Sequence, residues 1–440
     1  MDRREFLKLA GVTAAFAGTW RLPSLLGRKS DLEPDASVTG HVTLAFYGAA
    51  DIIKAWDVIF TDFSKVYPNV KVDAVPIAAS TWSTYADAAI LQMAGGREFD
   101  ILQGAINIQR LLITKGVVSP LDEFIERDKA QLAPYFADEN PKFLAWNKSL
   151  ISKGGPTYYL PADYNTYCCW VNTEMFEKAG VPVPSDGWTW DDLMAAGEKI
   201  CTSPGTYLMH CDPGDMFFFQ PWALTNGGTL LSADWSKSTL ASPQTIEAAA
   251  FAQSLCLKGY SPKPGGAFDD VVEFVDNKLA IFGCGMWLNP GIVAAKAAGK
   301  VKIVAWPQKV QKGTSVGWNA YPITKSSKNK EAAWAFIKYV ASTRAVVNLT
   351  STGQATPGRK SVFYADLHKA APEKGIDEFW TEVNYATPVP SPDASDAVNA
   401  AIIKTVTQLY SSNANPKTLM TALDTQVSGY LNNSGPGGVS

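Results

Sequence analysis

The chain is poor in what is needed to hold a polyanion, a metal or a membrane. Its 39 basic side chains are outnumbered by 42 acidic ones, so at a net charge of −3 it has no basic field for nucleic acid or an anionic lipid surface. Only three histidines occur in 440 residues, His41, His210 and His368, scattered without ligand spacing, and there is no Cys-x-x-Cys. No metal and no cofactor is therefore expected. The apolar run near the N-terminus, Leu9 to Ala17, is about nine residues where a membrane-spanning helix needs roughly twenty. No cysteine lies near it, which argues against a lipid-anchored N-terminus. Internal repeats are absent, and low complexity is confined to a Gly-rich tail, NNSGPGGVS, expected to fray over 431–440.

What is present points to two folded lobes. With 46% hydrophobic residues and only 18% charged, 440 residues suffice for two ordinary domains with separate cores. The 14 tryptophans need either core volume or a ligand whose faces they can cover. The opening MDRREFLKLAGVTAAFAG, with Arg3 and Arg4 ahead of a short apolar block, resembles a twin-arginine export signal, although Asp2 stands where Ser or Thr is usual. Residues 1–37 are thus read as signal and linker, and the protein as exported to the periplasm or cell-envelope exterior. Six cysteines allow fifteen pairings, of which only Cys201 with Cys211 is locally attractive. Because substrates of this export route fold before leaving a reducing cytosol, buried free thiols are the expected state.

From His41 onward, strand and helix alternate. HVTLAFYG reads as a buried strand, Ile52 to Phe63 as a helix ended by Tyr67-Pro68, VKVDAVPI as a strand, STWSTYADAAILQMAGG as a helix, and FDILQG as a third strand. This alternation implies a largely parallel sheet covered by helices, which binds ligands at the carboxyl ends of its strands. Those ends carry Tyr47, Gly48, Gln103 and Gly104, with Trp82 at the start of the second helix. Further on, Thr189 and Asp192 form a capping-box pattern ahead of another helix.

The segments FSKVYPNVKVDAVP, GGREFDILQG, GVVSPLDEFI, YYLPADYNTYCCWVNTEMFEKAG, TWDDL, NGGTLL, NKLAIFGCGMW and SSKNKEAAWAFIKYVAS followed by TGQATPGRKS give the chain its resemblance to a known family. In that order it resembles the extracellular solute-binding proteins of family 1, the carbohydrate receptors of ABC importers. The resemblance implies an α/β, two-lobe periplasmic-binding-protein fold, class II-like, with a ligand cleft between lobes joined by several crossovers and closed by hinge motion. It places lobe 1 at 38–160 plus about 310–350, and lobe 2 at 161–309 plus about 351–430. It also implies a carbohydrate ligand, permease transmembrane subunits as partners, a monomer, and no enzymatic activity.

The same resemblance puts Asp163, Tyr164 and Asn165 at the cleft, takes stacking aromatics from Phe217, Phe219 or Trp222, and aligns Trp287 of FGCGMWLNPG with a ligand-facing aromatic. Sugar chemistry suits such a set: a pyranose has an apolar C–H face that an indole covers and a rim of hydroxyls that Asp, Asn and Gln satisfy. Trp318 and Asn319 of SVGWNAYPI, with Tyr47, Trp82 and Gln103, complete the candidates. Trp56, Trp146, Trp170, Trp334 and Trp380 sit in apolar or periodic settings and are assigned to packing.

Two rivals remain. GTSVG matches the Gly-x-Ser-x-Gly elbow of serine hydrolases, with Ser315 as nucleophile and His368 as the downstream histidine, but the stretch after it reads as strand rather than helix. A receptor for a polyamine, glycerophosphodiester or sugar phosphate needs clustered carboxylates or a base, for which Asp163, Asp215 and Arg359 are available.

Overall fold

In the computed structural model the described residues are 32–48, 56–266, 268–351, 353, 355–364 and 375–433. The export-signal segment through residue 31, His368 and the end of the tail from 434 lie outside them. Two compact units emerge, the chain passing from the first to the second after Tyr164, back after Val316, and again in the stretch beyond residue 364.

The first unit is organised by the strand Gly40–Tyr47. It pairs in parallel with Val70–Ile77 along its whole length and with Ile101–Leu102 on its other edge. Short helical crossovers make the parallel pairing possible: Asp57–Val66 joins the first two strands, and Trp82–Ala94 leads to the third. The second of these helices opens on a reciprocal cap, in which the Thr81 hydroxyl accepts from Thr84 N–H while Thr84 Oγ1 accepts from Thr81 N–H. One core holds the layers together, with Leu44, Phe46, Trp56, Ile59 and Phe63 packed against Ile323, Trp334 and Phe336. The Trp334 indole N–H donates to Asp128 Oδ2 at 2.7 Å, so its polar edge is satisfied while the ring stays buried.

The second unit departs from the parallel expectation. Its four-stranded sheet runs Tyr207–His210, Leu279–Cys284, Cys168–Asn172, Val301–Val304, and only the first pair is parallel. The physical reason lies in the connections: Cys168–Asn172 is paired by strands that arrive more than a hundred residues later from the opposite end, which alternation along the sequence does not encode. Around this sheet lie the helices Trp190–Ile200, Met216–Thr225, Pro243–Leu257, Ser395–Ser411 and Pro416–Asn433. Thr189 and Asp192 form the capping box expected of them. The last helix runs to Asn433, so 431–433 are helical rather than frayed.

The unit boundaries differ from the sequence reading. Residues 161–164 belong to the first unit and 310–316 to the second. The described stretch 355–364, read as second-lobe, stays in the first unit, because Thr356 and Pro357 pair with Tyr164 and Asp163 and Arg359 binds Asp138 at 2.9 Å. All six cysteines are free thiols, and Cys201 is not bonded to Cys211.

Candidate functional site

In the first unit the strand ends assemble one group of candidates. Tyr47, the last residue of its strand, stacks on Trp82 at 4.3 Å and 22°, and both rings stand edge-on to Tyr85 at 5.8 Å. Tyr85 is itself fixed, its hydroxyl donating to the Ala45 carbonyl at 2.8 Å and accepting from Gln103 N–H. The Gln103 side chain closes the group by accepting from Tyr47 N–H at 3.0 Å. An aromatic pair partly open to solvent therefore stands beside an amide whose orientation is locked by backbone.

Asp163 and Asn319 form a second pair in the same unit, the Asn319 amide donating to Asp163 Oδ1 at 2.6 Å. Burial pushes the Asp163 pKa up to about 6, opposed only by that hydrogen bond. Tyr321, which sequence reasoning missed, is buried, and burial followed by the Asp163 charge drives its pKa well above the ordinary value. Trp318 is not displayed. It lies in an aromatic core with Phe143 at 5.8 Å and Trp146 parallel to it at 6.1 Å, because alternation along the strand Thr314–Ala320 turns it opposite to Asn319.

The second unit brings Asn165, Phe217 and Trp287 together. Trp287 is 36% exposed, and its indole lies over the backbone of Gly285, where a β-carbon would stand 2.2 Å from Trp287 Cζ3 and 2.7 Å from Asn165 Cβ. Asn165 Oδ1 accepts from Met286 N–H at 2.7 Å, tying this strand residue to the turn that carries the tryptophan. Phe217 meets Trp287 edge-on at 6.0 Å. One further ring extends the surface, the part-buried Phe218 at 6.5 Å from Trp287, and beneath it the buried Tyr167 stacks on Phe218 at 5.3 Å. Tyr167 falls between the strands Asp163–Thr166 and Cys168–Asn172, so strand alternation does not place it. Phe218 was hidden by its neighbours in MFFFQ, where helical spacing alone does not say which of three phenylalanines faces out.

Phe219 and Trp222 are core residues instead. Trp222 packs against Trp306 at 4.9 Å, Phe251 at 5.6 Å and Trp190 at 6.1 Å, and Phe219 is fully buried. Their helix is held at its start by Asp215, whose carboxylate accepts from Phe217 N–H and Asn399 Nδ2 while burial pushes its pKa up to about 6.

Ser315 is not on an elbow. It sits inside the strand Thr314–Ala320, fully buried, with its hydroxyl donating to the Phe217 carbonyl at 2.8 Å. That carbonyl needs a donor because the residue four positions on is Pro221, which has no N–H to give. The serine of GTSVG thus repairs a proline gap in the helix that carries Phe217.

The fold brings His210 to Asp270, with Nδ1 2.7 Å from Oδ1, and places Asp212 beside them.

Two α/β units with a chain that passes repeatedly between them are the architecture expected of a solute receptor. The chain belongs to the bacterial extracellular solute-binding protein family, whose model matches residues 49–347. As a member of an extracellular family it is an exported protein. It is similar to the arabinooligosaccharide-binding protein of Bacillus subtilis, 23% identical over 349 residues, which span 74% of this chain and 76% of that one. Its fold is that of an ABC substrate-binding protein of Listeria monocytogenes solved with cycloalternan, at a TM-score of 0.80 and 21% identity over 90% of this chain and 99% of the other. A solute-binding protein of Thermotoga lettingae bound with α-D-tagatose gives 0.77 and 23% over 89% and 100%.

Proposed function

We propose that this protein is the carbohydrate-capturing receptor of an ABC importer. The observation that carries the reading is the second-unit surface, where Trp287 and the part-buried Phe218 offer ring faces beside Asn165. The Tyr47–Trp82 pair with Gln103, and Asp163 with Asn319, add the same chemistry in the first unit. Rings cover the C–H faces of a sugar, and amides and a carboxyl take its hydroxyls. The Bacillus, Listeria and Thermotoga relatives, named for or solved with sugars, support the same class.

A single stack contributes about 0.5–1.5 kcal/mol beyond area, against roughly 8 kcal/mol for micromolar binding, so several contacts share the work. Binding proceeds by stacking and hydrogen bonding, without covalent chemistry. The protein acts as a monomer, leaves the cytoplasm by the twin-arginine route, and hands its ligand to permease subunits in the membrane.

Phosphate and polyamine ligands fit less well. Arg359 is buried and committed to Asp138, the Ala341 carbonyl and Thr343. Asp163 and Asp215 are each engaged by an asparagine amide and held toward the neutral form by burial. Isothermal titration of the mature protein against mono- and oligosaccharides, polyols, polyamines and sugar phosphates is the test. Saturable binding of a sugar is expected; binding of a polyamine or sugar phosphate with no response to any sugar overturns the substrate class.

A further inference from the structure

We propose that His210, Asp212 and Asp270 form a binding site for one divalent transition-metal ion of the zinc class. The three come from separate places in the sequence and meet in the second unit. His210 ends the strand Tyr207–His210, Asp212 follows it by two residues, and Asp270 begins the helix Asp270–Val275. One ligand atom from each lies within 4.8 Å of the other two. Donors around a tetrahedral zinc at about 2.1 Å stand about 3.4 Å apart, so side-chain rotations of roughly an ångström close the set. The donors select the ion: an imidazole nitrogen with two carboxylates suits zinc and its neighbours, whereas calcium and magnesium take oxygen alone.

Charge balance separates this from a simple ion pair. A protonated His210 neutralises one carboxylate and leaves the other uncompensated in a half-buried place. A divalent cation on a neutral imidazole balances both carboxylates. The residues already present are arranged for it. Phe268 packs on the His210 ring at 4.8 Å, and Asp212 Oδ1 accepts from Gly214 N–H at 2.7 Å. Such outer contacts fix ligand orientation at metal sites.

An independent observation points to the same place. Tyr410, on the helix Ser395–Ser411, is fully buried, and its hydroxyl has no hydrogen-bond partner among the described residues. Asp212 acts electrostatically on that hydroxyl, after Cys211 and Cys256, so an unspent donor on a different element lies within the reach of the cluster's charge.

The experiment uses the mature protein, stripped with a chelator and titrated with zinc chloride alone by calorimetry, with metal content measured after dialysis. One zinc per chain is expected, with X-ray absorption showing a nitrogen and oxygen shell. His210→Ala and, separately, Asp212→Asn should each weaken binding at least about tenfold. Asp212→Asn keeps the His210–Asp270 contact, so it decides the matter if His210→Ala does not fold. Absence of stoichiometric zinc, or equal affinity in wild type and Asp212→Asn, overturns the proposal, as does displacement of the zinc by equimolar calcium.

Discussion

Gly285→Ala is the sharpest probe of how the second-unit surface is built. The glycine is extended, φ −83° and ψ −154°, a conformation any residue adopts, so the effect of alanine is contact and not backbone strain. Its β-carbon would stand 2.2 Å from Trp287 Cζ3 where ordinary contact begins at 3.4 Å, so the indole must withdraw by more than an ångström. Because Trp287 is 36% exposed, the ring can swing toward solvent, and the fold loses little. Asn165 is less free, since its Cβ at 2.7 Å is fixed to a strand and its Oδ1 holds Met286 N–H. Losing the stack removes about 0.5–1.5 kcal/mol and misplacing the asparagine a further 0.5–1.5 or so. The sum, about 1–3 kcal/mol, is a weakening of roughly 5- to 150-fold. Titration with the sugar that binds the wild type measures it, with scanning calorimetry as the control for folding. Trp287→Ala alone should weaken binding about tenfold, and in that background Gly285→Ala should cost clearly less, because the larger clash has gone. Wild-type affinity in Gly285→Ala, or an undiminished cost in the double variant, refutes the reasoning.

Three further outcomes follow from the same structure. Asp163, with a folded pKa of about 6 against an ordinary 3.8, is favoured neutral by the fold, so its stabilising share is complete below pH 4 and lost as pH rises through about 6. Urea unfolding of Asp163→Asn and wild type should therefore diverge by up to about 3 kcal/mol between pH 4 and pH 7, the variant gaining relative to wild type; parallel curves contradict the assignment. Ser315→Ala should cost about 1–3 kcal/mol by orphaning the Phe217 carbonyl, with any trace esterase activity unchanged; loss of hydrolysis specific to the variant would restore the elbow reading. Since all six cysteines are free, reductant should leave the unfolding temperature of freshly purified protein unmoved, and a clear fall would reveal a disulfide.

The parts of the fold that were legible in sequence are those encoded locally. Alternating strand and helix gave the parallel pairing of Gly40–Tyr47 with Val70–Ile77, and a cap pattern placed the helix start at Thr189. The mixed sheet of the second unit was not legible, because Cys168–Asn172 finds partners at Leu279–Cys284 and Val301–Val304, far along the chain. Side-chain direction divided the candidates in the same way. Strand alternation could have separated buried Trp318 from Asn319. Nothing local distinguishes Phe218 from Phe217 and Phe219: the first two both meet Tyr167, while Phe219 is fully buried.

The dependence of Trp287 on its surroundings explains why two unremarkable residues govern it. Phe217 meets the indole edge-on only while its helix keeps its first turn, and Pro221 removes the N–H that would hold that turn from within. Ser315 supplies the missing donor from a strand nearly a hundred residues later, and Asp215 caps the same turn from the other side. The backbone beneath the indole must meanwhile remain glycine at 285. A surface that reads as one exposed tryptophan is therefore a set of positional constraints. Substitutions at Ser315, Asp215 and Gly285, none of them aromatic, should shift binding in step with the position of the rings and not with the overall stability of the fold.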